Sequence, residues 1–324
     1  MRVAVLGATG AVGRELLAVL ERRRFPVTEL FALASARSAG SRLRFGSAEI
    51  EVQNADDFDF GICDLVFCCV DSDVARRFVP RAIEAGCCVV DNSSAYRMEP
   101  DVPLVVPEIN GDEVRPPLVA NPNCTTAITL VALAPLHRHW KMRRLVAATY
   151  QAASGAGAAA ISELLSHTDA ALKGSRPEPS VFPRSLAFNL FPHIGDFVGS
   201  YTKEELKLEQ ETRKILNEPQ IKVSSFCVRV PVVRAHSVAA FVCFQKQPDP
   251  KEAEQLITQS PGVELHNPYP TPLDAEGKDA VLVGRIRSDA ALERALSLWI
   301  VGDQLLKGAA LNAVQIGEKL LEVM

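Results

Sequence analysis

Cys124 stands in Asn121-Pro122-Asn123-Cys124-Thr125-Thr126, directly ahead of the apolar run 127–136, and this setting favours a reactive thiolate. The short apolar run 118–120 reads as a strand that ends there. A helix is expected to follow, with Asn121 as its N-cap and Pro122 at its first position. Cys124 then lies in the first helical turn, where unpaired N–H groups and the positive end of the helix dipole stabilise negative charge. A free thiol with a pKa of about 8.5 is only about 3% ionised at neutral pH, whereas a drop of about two units makes the thiolate the majority form. That is the condition for covalent catalysis. The same residue types also fit a small, inert, buried cysteine.

Two further groups bear on what such a thiolate would attack. Along 227–236, Val228, Val230 and Val232 point one way from a strand and leave Arg229 on the other face, with His236 across a short bend. An arginine on a buried face wants a carboxylate or a phosphate, and a histidine moves protons near neutral pH. An internal ion pair for Arg229 and a structural role for His236 stay open on these residues alone. The other group is Gly7-Ala8-Thr9-Gly10-Ala11-Val12-Gly13, a glycine loop between a strand and a helix. Its spacing lets backbone approach a pyrophosphate whose charge meets the helix N-terminus. The next strand ends Ser35-Ala36-Arg37-Ser38, without the acidic residue that usually takes a ribose hydroxyl. A cation flanked by two hydroxyls suits a 2′-phosphate, hence NADP over NAD, the alternative being that Arg37 is a solvated loop residue. A nicotinamide beside a thiolate points to aldehyde oxidation or acyl reduction through a thioester.

The elements that must carry these groups alternate strand and helix at first. Strands are expected at 2–6, 28–35, 64–69 and 87–91, with helices from the stripe Val12, Leu16, Leu17, Leu20 and over 74–84. Repeated βα units with short apolar strands imply a parallel, doubly wound sheet. Beyond Cys124 the pattern becomes α+β: 145–151, 221–233 and 238–245 alternate like antiparallel strands, with helices near 158–171 and 203–216. A last helix, about 289–324 and interrupted near Gly308, is long enough to return to the first domain. The expected division is 1–122, completed by 303–324, and 123–302.

Composition is that of a soluble globular protein. Of 324 residues, 48% are hydrophobic and 23% charged, enough for about two domains, and the net charge of −4 includes no basic block to suggest nucleic acid or a membrane surface. No run has the length of a membrane span, and the apolar start is too short for a signal peptide. Eight cysteines in a pattern without C-x-x-C indicate neither a metal site nor a disulfide framework. They read as reduced thiols in a cytoplasm.

Seven stretches taken in order resemble the aspartate-β-semialdehyde dehydrogenases over nearly the whole chain: the glycine loop; Asp91-Asn92-Ser93-Ser94-Ala95-Tyr96-Arg97-Met98; residues 121–125; Tyr150-Gln151-Ala152-Ala153-Ser154-Gly155-Ala156-Gly157; Tyr201-Thr202-Lys203-Glu204-Glu205-Leu206-Lys207; residues 229–237; and Lys307-Gly308-Ala309-Ala310-Leu311-Asn312. The resemblance implies a Rossmann-type NADP domain joined to an α+β catalytic and dimerisation domain. It implies Cys124 as nucleophile, Gln151 as the side chain orienting the acyl intermediate, and His236 as acid–base group. Arg229 would pair with the substrate carboxylate, Glu204 with its amino end, and Arg97 and Lys207 with phosphate, with Asn123 beside the nucleophile. Cofactor contacts would come from Gly7, Thr9, Gly10, Ala11, Val12, Gly13, Ser35, Arg37, Ser38, Ser154, Gly155 and Gln304. Thr202 with Glu205 reads as a capping box, and Glu204 and Lys207 share a helix face. The implied reaction is NADPH-dependent reduction of aspartyl phosphate to the semialdehyde and phosphate, in the synthesis of lysine, threonine and methionine, by a homodimer or homotetramer.

The chain departs from the family pattern at Cys68-Cys69-Val70-Asp71, where a small-residue turn is usual, and at Val238, where a glutamate is familiar after the histidine. Lost glycines are expected to hinder backbone approach, and Asp71 to repel a pyrophosphate unless it points away. Two rivals remain. N-acetylglutamyl-phosphate reductases share the thiolate logic but usually carry glycine where this chain has Asn123. A catalytically silent paralogue is disfavoured by the presence of Cys124, Gln151 and His236 together.

Overall fold

The computed structural model describes residues 1–324, which form two compact units: 1–123 with 309–324, and 124–308. Compared with the expected division, residues 303–308 cluster with the second unit. The cause is local, because Asp303 and Gln304 bond to Arg234, Gly277, Ala235 and Ser154 of that unit. No helix is long and apolar enough to cross a membrane.

The first unit runs β1 (Arg2–Leu6), α1 (Ala11–Arg22), β2 (Glu29–Ala34), β3 (Arg42–Phe45), β4 (Ala48–Asn54), β5 (Leu65–Cys68), α2 (Ser72–Glu84), β6 (Cys88–Asp91), α3 (Pro107–Asn110) and β7 (Leu118–Ala120). Its sheet has the order β3-β4-β2-β1-β5-β6-β7 and is parallel except for the edge pair β3–β4, a hairpin missing from the expected strands although Leu43, Phe45, Ile50 and Val52 alternate there with charged residues. Every residue of β5 and β6 is buried, as strands covered on both faces must be. On one face Phe31, Phe58, Phe60 and Phe78 of α2 form an aromatic chain. On the other lies the final helix of the chain, whose Gly317 packs so closely on Phe67 that a Cβ would stand 2.7 Å from its ring. The doubly wound α/β fold follows from that two-sided covering.

The second unit comprises α4 (Cys124–Trp140), β8 (Met142–Gln151), α5 (Ala158–Leu172), the short β9 (Phe197–Val198) and β10 (Tyr201–Thr202), α6 (Lys203–Ile215), β11 (Lys222–Arg229), β12 (His236–Phe244), α7 (Pro250–Thr258), β13 (Val263–Leu265), α8 (Pro272–Ala275), β14 (Val281–Ser288) and β15 (Ala295–Gly302). A π-turn over Leu306–Ala310 then leads back to α9 (Leu311–Leu321) in the first unit. The sheet order is β11-β8-β12-β15-β14-β13. Two expectations change here. β11 pairs with β8 in parallel, so the sheet is mixed. The stretch expected as one helix over 289–324 contains β15, hydrogen-bonded between β12 and β14. Its residues look helical by spacing, but sheet pairing on both sides decides, with Asp289 closing the preceding turn through Ala291 N–H and Leu292 N–H.

One face of this sheet is packed and the other open. Along β8, buried Leu145 and Ala147 alternate with exposed Val146 and Tyr150. Phe226 is 68% exposed on the same side, and the Tyr150 and Trp299 rings meet at 5.4 Å. The packed face receives α4, in which every residue from Thr125 to His137 is buried. A helix apolar all round belongs to an interior, and here only its ends reach polar surroundings.

Candidate active site

The position of Cys124 begins with Asn121. That residue is not the helix N-cap, because its side-chain amide donates to Asn92 Oδ1 and the Ala309 carbonyl and accepts from Asn312 Nδ2 at 2.6 Å. The loop is therefore held out of the helix, and Cys124 is the first residue of α4. This differs from the expected start at Pro122, and it puts the sulfur at the helix terminus itself, where the dipole is strongest. Arg97, 7% exposed, supports the same loop from Nε to the Asn121 carbonyl and from Nη2 to the Asn92 carbonyl. Asn123 is buried next to the cysteine. The other seven thiols are all pushed up, first of all by burial, with Cys63 and Cys227 at about 12 and Cys87 at about 11. They stay protonated and unreactive.

His236 opens β12 and is fully buried. Its Nδ1 accepts the Ala152 N–H at 3.1 Å, which assigns the ring proton to Nε2. That Nε2 has no partner in the protein. Burial, and then the Arg229 charge, push its pKa down to about 3, so the imidazole is neutral at physiological pH. Arg229, 5% exposed at the end of β11, donates Nη1 to the Ala152 carbonyl at 2.6 Å. No carboxylate forms an ion pair with it. Burial pushes its pKa down, against the pull of Glu204 and Cys124. Gly155 separates the two groups: a Cβ there would lie 3.0 Å from Arg229 Nη1 and 3.2 Å from His236 Nε2.

A second chain of contacts lies beside them. Thr149 Oγ1 donates to Gln151 Oε1, Gln151 Nε2 donates to Glu204 Oε1 at 3.0 Å, and Lys207 Nζ donates to Glu204 Oε2 at 3.1 Å. The capping box orients this helix: Glu205 N–H donates to Thr202 Oγ1, and Thr202 N–H to Glu205 Oε2. With its first turn fixed, α6 turns Glu204 and Lys207 inward. Val238 is buried in β12, where its backbone pairs with Thr149 and Ile300.

In the first unit the glycine loop has the shape a phosphate needs. Gly7 has φ +84°, and a Cβ on it would lie 2.4 Å from the Cys69 carbonyl oxygen; one on Gly13 would lie 2.3 Å from the Gly7 carbonyl oxygen. Neither position admits a side chain. Gly10 is the N-cap of α1 and brings no side-chain hydrogen bond, so with Ala11 and Val12 in the first turn the helix presents N–H groups without a side-chain cap next to Thr9. The Asp71 carboxylate accepts the Val74 N–H as N-cap of α2. Ser35, Arg37 and Ser38 follow β2 in a turn closed by Ser38 N–H to the Ser35 carbonyl, with Arg37 exposed. Ser154 and Gln304 lie in the second unit, bonded to each other.

Residues 2–116 match a family model described as semialdehyde dehydrogenase, NAD binding domain, and residues 133–307 match one described as semialdehyde dehydrogenase, dimerisation domain. An aspartate-semialdehyde dehydrogenase from Synechocystis sp. is 49% identical over 99% of this chain and 98% of its own length. The chain belongs to the aspartate-semialdehyde dehydrogenase family. Solved family structures superpose along its length. Aspartate semialdehyde dehydrogenase II from Vibrio cholerae, complexed with ASA, gives a TM-score of 0.97 at 42% identity, covering 99% of this chain and 98% of that one. The enzyme from Candida albicans, solved with NADP, gives 0.76 at 28% identity, covering 98% and 97%. In this family member the second unit gathers Cys124, Gln151, Ser154, Gly155, Glu204, Lys207, Arg229, His236 and Gln304, and the first carries the glycine loop, Arg97 and Asn123. Sequence reasoning missed Asn312 and Ala235. The Lys307–Asn312 motif was the available signal for Asn312, whereas nothing local marks Ala235, whose φ is +69°.

Proposed function

We propose that this chain reduces L-aspartyl phosphate to L-aspartate 4-semialdehyde and phosphate with NADPH, through a thioester on Cys124, in a cytoplasmic biosynthetic route. The observation that carries the reading is Arg229, buried without a carboxylate partner and adjoining the free Nε2–H of His236. A buried fork of this kind is costly unless a ligand carboxylate completes it.

The Cys124 thiolate attacks the acyl carbon, the bond from that carbon to the phosphate oxygen breaks to leave a thioester, and phosphate departs and takes one proton from solvent, becoming the hydrogen phosphate dianion. Gly7, Gly10 and Gly13 would hold the pyrophosphate of NADPH on backbone N–H groups and Arg37 its 2′-phosphate, and the bound cofactor would supply the hydride to the thioester carbon. The oxyanion at the acyl carbon receives a hydrogen bond from His236 Nε2, and collapse breaks the carbon–sulfur bond to free the aldehyde. Arg229 holds the α-carboxylate as a two-pronged partner. Glu204 takes the substrate ammonium, a preference that disfavours N-acetylated substrates because acetylation removes the charge. Gln151 orients the acyl group, while Lys207 and Arg97 supply the cations for phosphate.

The exposed face of the second sheet, with Val146, Tyr150 and Phe226, is the homodimer surface, next to a groove of about 450 Å³ lined by Phe241, Tyr269 and Trp299. The reaction reading is tested by incubating the protein with aspartate semialdehyde, phosphate and NADP, and separately with the N-acetylglutamyl counterpart. NADPH forms with the first alone, and a labelled acyl donor adds its mass to Cys124. An adduct on another side chain, or turnover with none, overturns it.

A further inference from the structure

The segment that follows β15 reaches both members of the reacting pair. His236 is paired with Gly302 across the sheet, and the chain continues from Gly302 directly into Asp303 and Gln304. Gln304, 2% exposed, uses both ends of its amide: Oε1 accepts the Ala235 N–H at 2.8 Å, and Nε2 donates to Ser154 Oγ. These two contacts flank His236. Ala235 precedes it in the chain, buried and at φ +69°, a left-handed conformation that alanine disfavours and that needs an external hold. Ser154 belongs to the turn whose Ala152 N–H fixes His236 Nδ1.

Asp303 starts the other half. It is fully buried, with Oδ2 accepting from Arg234 Nε and Gly277 N–H and Oδ1 from the N–H groups of Leu305 and Leu306. Its carbonyl accepts the Gly308 N–H five residues on, so the coil widens into the π-turn. Such single π-turns occur inside helices where an added residue re-aims the backbone. Here the widening sets Gly308 against the nucleophile: a Cβ on Gly308 would lie 2.7 Å from Cys124 Cβ and 3.1 Å from its Cα.

We propose that Asp303–Gly308 is a brace that registers the two reactive side chains against each other, with Gln304 positioning His236 and Gly308 positioning Cys124. This rests on the reading of Cys124 and His236 as the reacting pair. Neither positioning residue need touch the substrate. The family resemblance assigns Gln304 to cofactor binding, and the two roles separate in kinetics.

Gln304→Leu removes both hydrogen bonds at similar volume. As a positioning change of the order of an ångström it lowers kcat about 100-fold while KM for NADPH changes less than about threefold. Adding Ala235→Gly restores about tenfold of that loss, because glycine adopts φ +69° without a hold. Gly308→Ala displaces the cysteine from the helix terminus, so its rate of alkylation by iodoacetamide rises at a higher pH than in the unaltered enzyme. Melting curves of both variants establish that they fold. A rise in KM for NADPH at unchanged kcat in Gln304→Leu, no rescue by glycine at 235, or an unmoved alkylation profile in Gly308→Ala overturns the brace. Those results leave the thioester reading intact. That reading fails separately, if the unaltered enzyme forms no adduct on Cys124.

Discussion

The two units prepare for their ligands by opposite means. In the first, the proposed binding is made by what is missing: Gly7 and Gly13 have no room for a Cβ, and the bare N-terminus of α1 offers backbone dipoles to a phosphate. In the second it is made by what is buried: Arg229, His236, Gln151 and Glu204 are polar side chains in the interior, aimed by strand ends and a capped helix. The two sheets differ in step with this. β5 and β6 are covered on both faces, whereas β8 alternates between a packed and an open face. Backbone recognition tolerates many neighbouring residue types, since it requires only shape and N–H direction. Side-chain recognition of a small doubly charged substrate does not, because each buried group must find its particular partner.

That contrast can be broken most sharply at Cys124. Cys124→Ala lowers kcat by more than about 10³-fold while the dissociation constant for NADP, measured by fluorescence titration, stays the same. Arg229→Lys comes next. Replacing a fork with a point charge lowers kcat/KM for the acyl substrate about 100-fold and leaves KM for NADPH unmoved. The converse change is Gly13→Ala, which forces a methyl group against the Gly7 carbonyl and weakens NADP binding about tenfold or more; alkylation of Cys124 proceeds at its ordinary rate, as the second unit is untouched. The smallest effect on chemistry belongs to the open face. Val146→Lys with Phe226→Lys halves the mass seen by light scattering and leaves the melting of an isolated chain within about 1 kcal/mol of its former stability.

Much of the first unit was legible because βα repetition writes two periods side by side, and the apolar β5 and β6, the latter ending in Asp91, stand out between turns. The hairpin of β3 and β4 is also written there, in Leu43, Phe45, Ile50 and Val52 alternating with Arg42, Arg44, Glu49 and Glu51, but short half-exposed edge strands with charge on one side stand out less than a buried apolar run. In the second unit β15 was hidden by Leu292, Leu296 and Trp299, whose spacing imitates a helical stripe until sheet partners on either side settle the matter. The parallel pairing of β11 with β8 has no local signature at all. At the site, residue types and motif order singled out Cys124, His236, Arg229 and the glycine loop as candidates. The true start of α4 was not disclosed, because Asn121 could cap a helix equally well until Asn92, Asn312 and the Ala309 carbonyl claimed its amide. Hydrogen bonds between residues nearly two hundred positions apart leave no trace in a local pattern.

The burial of α4 on every side has one more consequence. A helix with no solvent flank cannot fray from its middle, so its amide protons should exchange with deuterium only through openings as large as the loss of the second unit's core. The sulfur at its head would then keep its place up to the melting point, and heating should abolish activity together with the fold rather than ahead of it.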